Sequence, residues 1–240
     1  MSSTKPSNMK IEIVKNKEEG AKVAFQLIQK AANEGATVFG LATGSTPETL
    51  YKELRLSDVD FSDKIAVNLD EYIGLTADHP QSYKTFMQKQ LFNKKLFKET
   101  HIPDGLAPEE TEIKRYNDIL EKYPIDVQIL GIGTNAHIGF NEPGTAFDTE
   151  TQKVKLTEET IEANKSNFDS EKDVPKFAYS MGIASIMAAK KIILIAYGQN
   201  KADAIAKTVN GPVTEDVPAS ILQKHSDVVI IVDEEAASQL

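Results

Sequence analysis

The chain has no cysteine. That excludes disulfides and thiolate metal sites, and a reducing compartment fits. No apolar run approaches the roughly 20 residues of a membrane-spanning helix. The opening "MSSTKPSN" lacks the apolar core of a signal peptide. The expected location is therefore the cytoplasm, with no membrane partner. Positive charge is also scarce, with 27 Lys and Arg against 36 Asp and Glu, a net charge of −9. No basic cluster stands out, which argues against a nucleic-acid partner. A small anionic ligand stays open, because a few backbone amides and one lysine hold a phosphate.

What is present is 240 residues with a 40 % hydrophobic share, enough to bury a real core. Residues 1–8 read as a disordered tail and 9–240 as one α/β domain. Strands are expected at 11–14, 37–42, 64–69, 126–132, 191–197 and 227–232. Several are apolar throughout, as strands covered on both faces are. Helices are expected at 17–33, 47–55, 82–92, 110–122, 180–189, 200–208 and 234–238. The alternation predicts an α/β fold, a mostly parallel open sheet with helices on both faces. In such sheets ligands bind at the carboxyl ends of the strands, so the loops after strands carry the function.

Four of those loops carry unusual residues. "ATGSTPETL" places Thr43, Gly44, Ser45 and Thr46 before a helix, with Thr46 suited to cap it and Pro47 to open it. Such a turn is either an anion site or an ordinary capped helix. "NLDEYIGL" places Asp70 and Glu71 at a strand end. Adjacent strand residues point to opposite sides, so at most one faces a given pocket. A carboxylate there, backed by apolar residues, suits a general base. "GIGTNAHIGFNEPG", 131–144, holds Asn135, His137 and Glu142 among glycines. It is not a dinucleotide fingerprint, since no helix opens directly after it. His137 has room for a ligand beside it, and Glu142 is close enough in sequence to orient it for proton transfer. One histidine and one glutamate make no metal ligand set, so no metal is expected. "GQNKADAI" puts Lys201 in the first turn of a helix, where the dipole disfavours a cation unless an anion sits there.

"LATGSTP", "NLDEYIGL" with "HPQSY" following, "GIGTNAHIGFNEPG" and "GQNKA" occur in this order over nearly the whole chain. Together they resemble the glucosamine-6-phosphate deaminase family, also called glucosamine/galactosamine-6-phosphate isomerases. The resemblance implies a Rossmann-like fold of the ribose-5-phosphate isomerase and phosphogluconolactonase type. It implies conversion of glucosamine 6-phosphate and water to fructose 6-phosphate and ammonia in amino-sugar catabolism, without a cofactor, under the class terms deaminase, isomerase and hydrolase. Carried over, Asp70 corresponds to the base acting between C2 and C1. His137 corresponds to the acid/base for ring opening, with Glu142 as its partner. Asn135 falls where some members have aspartate. Thr43, Gly44, Ser45 and Thr46 match the phosphate loop and Lys201 the phosphate lysine. The family's "AN-x-R-F-F" arginine is missing from "ANKSNFD", leaving Lys165 as the candidate stand-in, and 145–175 reads as a lid.

Two rivals remain at this stage. A 6-phosphogluconolactonase-like hydrolase is expected to differ at Asn141 and Glu142. A sugar-phosphate sensor usually carries a basic DNA-binding module, for which the chain shows no basic helix. The short segment after the last strand predicts a monomer or small homo-oligomer with hyperbolic kinetics.

Overall fold

The apolar runs form strands because none has a polar side to turn to water. In the computed structural model, which describes residues 8–240, the elements follow in order. They are β1 (Met9–Val14), α1 (Lys17–Asn33), β2 (Val38–Leu41), α2 (Glu48–Leu56), β3 (Ile65–Asn68), β4 (Asp70–Tyr72), α3 (Tyr83–Met87), β5 (Glu99–His101) and α4 (Glu109–Lys122). There follow β6 (Val127–Leu130), β7 (Gln152–Lys155), α5 (Glu158–Asn164), β8 (Phe177–Ser180), α6 (Ile183–Met187), β9 (Lys191–Ala196), α7 (Ala202–Asn210) and β10 (Val228–Asp233). The tail expected at 1–8 lies outside the described residues, apart from Asn8.

Seven strands form one sheet in the order β1-β10-β9-β6-β2-β3-β5, every neighbouring pair parallel. Alternate residues feed two cores. Val228, Ile230 and Val232 of β10 join Tyr116, Ile186 and Ile205 on one face. Val229 and Ile231 join Ala24, Ile28, Leu50 and Leu54 on the other. Helices therefore cover both faces, as the apolar strands require. From β2 the chain steps outward to β3 and β5, then returns on the other side of β2 with β6 and runs on to β9 and β10. The direction reverses between β2 and β6. That is where the loops leaving two neighbouring strands part and open a crevice.

Several expectations are corrected here. Asp70 and Glu71 do not sit in a plain loop. They open β4, which pairs antiparallel with β8, and β8 with β7, in a second three-stranded sheet. The helix expected at 180–189 starts later because Phe177–Ser180 is strand. The expected helix 82–92 is regular only to Met87 and widens over Gln88–Phe92. The expected helix at 234–238 is a set of turns held by Asp233, whose Oδ1 accepts from Ala236 N at 2.8 Å. The segment closes on Asp233, whose carbonyl also accepts from Ala237 N at 3.0 Å. The strand Glu99–His101 is polar and pairs only at the sheet edge, so no apolar pattern announces it.

One clamp ties the fold to the crevice. Tyr51, fully buried on α2, accepts from the Ala42 amide at 3.1 Å and donates to the Ala42 carbonyl. It fixes the end of β2 one residue before Thr43. Tyr51→Phe leaves both Ala42 groups buried and unpaired, a loss of about 1–3 kcal/mol. Urea unfolding is expected to show that loss, and an unchanged midpoint would mean that the phenol bonds are replaced by water.

Candidate active site

A cavity of about 450 Å³ lies over the crevice, lined by residues of 42–47, 131–140, Asp70, Tyr83 and Lys201. Three of its walls come from loops that leave β2, β6 and β9, so the sheet order brings together segments far apart in sequence.

The first wall is the turn at 43–46. Gly44 has φ 100°, a left-handed conformation that favours glycine. No hydrogen bond within the chain engages the amides of Thr43, Gly44, Ser45 or Thr46 among the described residues. Free amides ahead of a helix favour an anion. Thr46 does not cap the helix as expected. Pro47 holds the cap position with no side-chain bond. Lys201 lines the same cavity, and its Nζ donates to the Ile132 carbonyl at 2.5 Å. Burial lowers its amine from the ordinary lysine value.

The second wall is the carboxylate pair. Glu71 is buried and fully engaged. Its oxygens accept from the amides of Tyr72 and Tyr83 at 2.9 Å and of Lys84 at 3.0 Å. It thereby holds the start of α3, and burial raises its carboxyl against the pull of those amides. Asp70 turns the other way into the cavity, with no hydrogen bond to its carboxyl among the described residues. Burial first, and the Glu71 charge second, push it up to about 8. The expected division of the pair by strand pleating is what the structure shows.

The third wall is the histidine loop. His137 Nδ1 lies 2.8 Å from Asn135 Oδ1 and 3.5 Å from Glu142 Oε1, and Asn135 Nδ2 donates to Glu142 Oε2 at 2.8 Å. Asn135 Oδ1 also accepts the His137 amide at 3.1 Å. A carboxylate only accepts, so the asparagine must show it Nδ2 and turn Oδ1 to the imidazole. The imidazole then carries its proton on Nδ1 and leaves the Nε2 lone pair for the cavity. Burial lowers the His137 pKa, with Glu142 opposing and Lys201 adding to the shift. A Cβ on Gly133 falls 2.1 Å from two ring atoms, so only glycine admits the ring there. Ala136, beside the histidine, has φ 68°, which an alanine adopts only under constraint. Its carbonyl is held by Ala219 N at 3.0 Å.

The structure thus brings together Thr43, Gly44, Ser45, Thr46, Asp70, His137 and Lys201, with Asn135 and Glu142 behind the imidazole. Lys165 is not there. Its Nζ is held by Glu162 at 2.7 Å and Glu171 at 3.3 Å on an exposed turn, and it is not among the residues that line the cavity. Tyr83, and Phe140 with it, were not foreseen as cavity walls. Tyr83 packs on Tyr72 with ring centroids 4.6 Å apart, and its phenol is raised well above the ordinary value by burial. "HPQSY" was a visible segment, but nothing in it shows where the tyrosine points. The expected lid contributes Asn164, which donates to the Tyr72 hydroxyl at 3.1 Å, and Phe168, stacked on His79 at 5.5 Å. No group of three His, Asp or Glu placed for a metal is found among the described residues, and no helix among them is long and apolar enough to cross a membrane.

Fold and site define an α/β protein in which a buried carboxyl and an oriented imidazole face a turn of free backbone amides across one cavity. The chain belongs to the glucosamine-6-phosphate isomerases/6-phosphogluconolactonase family, whose model matches residues 16–231. It is 59 % identical over 234 residues to a glucosamine-6-phosphate deaminase of Lacticaseibacillus paracasei, covering 97 % of this chain and 99 % of the relative. It is 58 % identical to one of Enterococcus faecalis over 97 % of this chain and 100 % of the relative. A solved structure described as a monomeric glucosamine-6-phosphate deaminase matches with a TM-score of 0.90 at 40 % identity, over 97 % of this chain and 100 % of that one. A 6-phosphogluconolactonase of Leishmania guyanensis matches with a TM-score of 0.78 at 18 % identity, over 96 % and 98 % of the two chains, which shows the fold alone. One expectation is corrected by these relatives: they are named deaminases, in a family described first as isomerases, and the class term hydrolase has no support for this chain.

The buried carboxyl has a consequence for stability. Asp70 ionises near 3.8 in the unfolded chain and near 8 in the folded one. Between those values the folded state holds the extra proton, so stability falls as pH rises through that window. Asp70→Asn removes the fall. The variant is expected to gain on the wild type from about pH 4 to 8 and to match it below. Denaturant unfolding at stepped pH checks this, and a gap independent of pH means a solvated Asp70.

Proposed function

We propose that the chain converts glucosamine 6-phosphate and water to fructose 6-phosphate and ammonia in amino-sugar catabolism. The observation that carries this reading is the pairing of an isolated carboxyl, Asp70, with an oriented imidazole, His137, across a cavity whose other end is an anion loop. The close relatives bear the name of this activity, which supports the same reading.

In this reading the amides of 43–46 and Lys201 hold the substrate phosphate. Binding energy from that remote group orients the reacting carbons. The lone pair on His137 Nε2 takes the C1 hydroxyl proton and returns it to the ring oxygen, so the C1–O5 bond breaks and the open aldehyde forms. Asp70 removes the C2 proton of the ammonium form while the C1 oxygen takes one proton from the amino group, giving an enolamine; Asp70 then returns its proton to C1, leaving an iminium at C2. Water adds there, and ammonia leaves as the ketone forms. Asn135 and Glu142 fix the imidazole's tautomer and stabilise its charged form, while Glu71 stays out of the chemistry. Residues 9–240 act as one catalytic domain, since the cavity draws its walls from loops of the seven-stranded sheet and from the start of β4 in the smaller one. The monomeric relative supports a monomer or small homo-oligomer, and the cytoplasm suits a sugar-phosphate substrate.

The deciding experiment offers glucosamine 6-phosphate and measures ammonia and fructose 6-phosphate, beside a 6-phosphogluconolactone assay. Release of both products is expected, and ring opening of the lactone alone overturns the reading. Asp70→Asn is expected to lower kcat about 10²–10⁴-fold, and Glu71→Gln far less through chemistry. Because the free carboxyl ionises near 8, wild-type kcat/KM is expected to rise with pH to a plateau past about 8. A dead Glu71→Gln beside an active Asp70→Asn reverses the two roles.

The anchor gives a separate test. Lys201→Ala is expected to weaken substrate binding by about 1.5–3 kcal/mol, the range of a charge-assisted hydrogen bond. Glucosamine without phosphate is expected to be a very poor substrate. Equal turnover of the two sugars removes Lys201 from the phosphate site.

A further inference from the structure

A second cleft of about 330 Å³ adjoins the cavity and shares Gly44 and Tyr83 with it. Gly44 is the turn of the anion loop, so that loop borders both spaces. The cleft is lined by the amide side chains Gln81, Gln90, Asn164 and Asn167, with one cation, Lys89, and no carboxylate. In a chain of net charge −9, a lining of that kind is locally positive. Lys89 makes no hydrogen bond and no ion pair among the described residues. A shallow depression on its other side holds Asp78 and Lys84, and Lys89 pairs with neither.

The main cavity is short of charge for its ligand. A sugar monophosphate carries about −1.5 to −2 at neutral pH. Lys201 is the one lysine or arginine among the residues lining the main cavity, it already donates to a carbonyl, and burial disfavours its charge. Other candidate cations are committed elsewhere. Lys165 is tied to two glutamates, Arg115 to Glu112 at 2.6 Å, and Lys84 lies near the Glu71 carboxylate.

We propose that Lys89 is the second cation of the phosphate site, reaching the phosphate past Gly44 from the adjoining cleft. The inference rests on the proposed deaminase reading and adds to it a residue that sets affinity for phosphorylated sugars. The long flexible stem suits this role, because the ammonium is free to swing to an arriving anion. Asn164 and Asn167, from the segment over the cleft, line the same space with neutral amides that add no negative charge against an anion.

The test compares wild type, Lys89→Met, Lys89→Arg and Lys201→Met with glucosamine 6-phosphate as substrate and inorganic phosphate as competing anion. Lys89→Met is expected to raise KM and the phosphate inhibition constant together by roughly 3- to 10-fold, with kcat much less affected. Lys89→Arg restores both, and the salt dependence of KM becomes shallower in Lys89→Met. A thermal midpoint equal to wild type separates this effect from misfolding. Unchanged KM and phosphate inhibition in Lys89→Met, with wild type active, overturn the role of Lys89 alone. A wild type that releases no ammonia overturns the underlying reading instead. If KM rises but phosphate inhibition does not move, Lys89 acts on another part of the sugar and the proposal fails.

Discussion

Two carboxyl groups adjacent in sequence are buried at the carboxyl end of β3, and the surrounding structure keeps them apart. Two such groups in one dry pocket cannot both ionise without a large penalty. Strand pleating gives the first answer, sending Asp70 and Glu71 to opposite sides. The second answer is chemical. Glu71 meets three backbone amides, which hydrate it as water would, and it becomes the brace of α3. Asp70 meets none and stays near the apolar limit of a carboxyl, pushed up to about 8. A carboxyl raised in this way and facing a cavity is the kind of group that the proposed reaction uses as a proton carrier. The small antiparallel sheet holds this strand, and Leu156, Ile161 and Val174 of the following segment pack on it with Tyr72.

The histidine loop solves a different problem. An imidazole has two interchangeable nitrogens, and a proton shuttle needs one of them committed. Glu142 alone sits 3.5 Å from Nδ1, too long for a firm hydrogen bond. The amide of Asn135 fills the gap, accepting from the ring and donating to the carboxylate. Being neutral, it orients the ring without adding the charge of a second carboxylate. The histidine keeps a lowered pKa, so at neutral pH its Nε2 is ready to accept a proton. Fixing tautomer and setting basicity are thus divided between two side chains.

The sequence made the sheet legible because strands buried on both faces leave long apolar runs, and the runs at 191–197 and 227–232 became β9 and β10. It made the loops legible because their residue types conflict with their positions, as with a lysine at a helix start. It did not disclose β4, β7 and β8. "DEY" and "QKVK" have no apolar alternation, and their pairing comes from the loop residues around them. Nor did it disclose that Lys165 is spent on Glu162 and Glu171, since pairing on a surface turn depends on folding at that turn. The Asn135 bridge was out of reach for a related reason. Spacing places asparagine, histidine and glutamate near one another, but only the left-handed Ala136 decides which atoms meet.

Two 6-phosphogluconolactonases, each 18 % identical, share this fold at TM-scores of 0.78 and 0.80, so the sheet by itself does not choose a reaction. What the sheet fixes is location. Reversal between β2 and β6 makes a crevice in which any ligand is met by whatever leaves β2, β3, β6 and β9. The first and last of those loops offer amides and one lysine, which in the proposed reading hold the phosphate. The choice of chemistry falls to the two middle positions. In the proposed reaction, a carboxyl without partners and an imidazole with a fixed lone pair move protons between neighbouring carbons and oxygens. On the proposed reading, the strand end at Asp70 and the loop at His137 carry the specificity of reaction, and the turn at 43–46 carries the specificity of substrate.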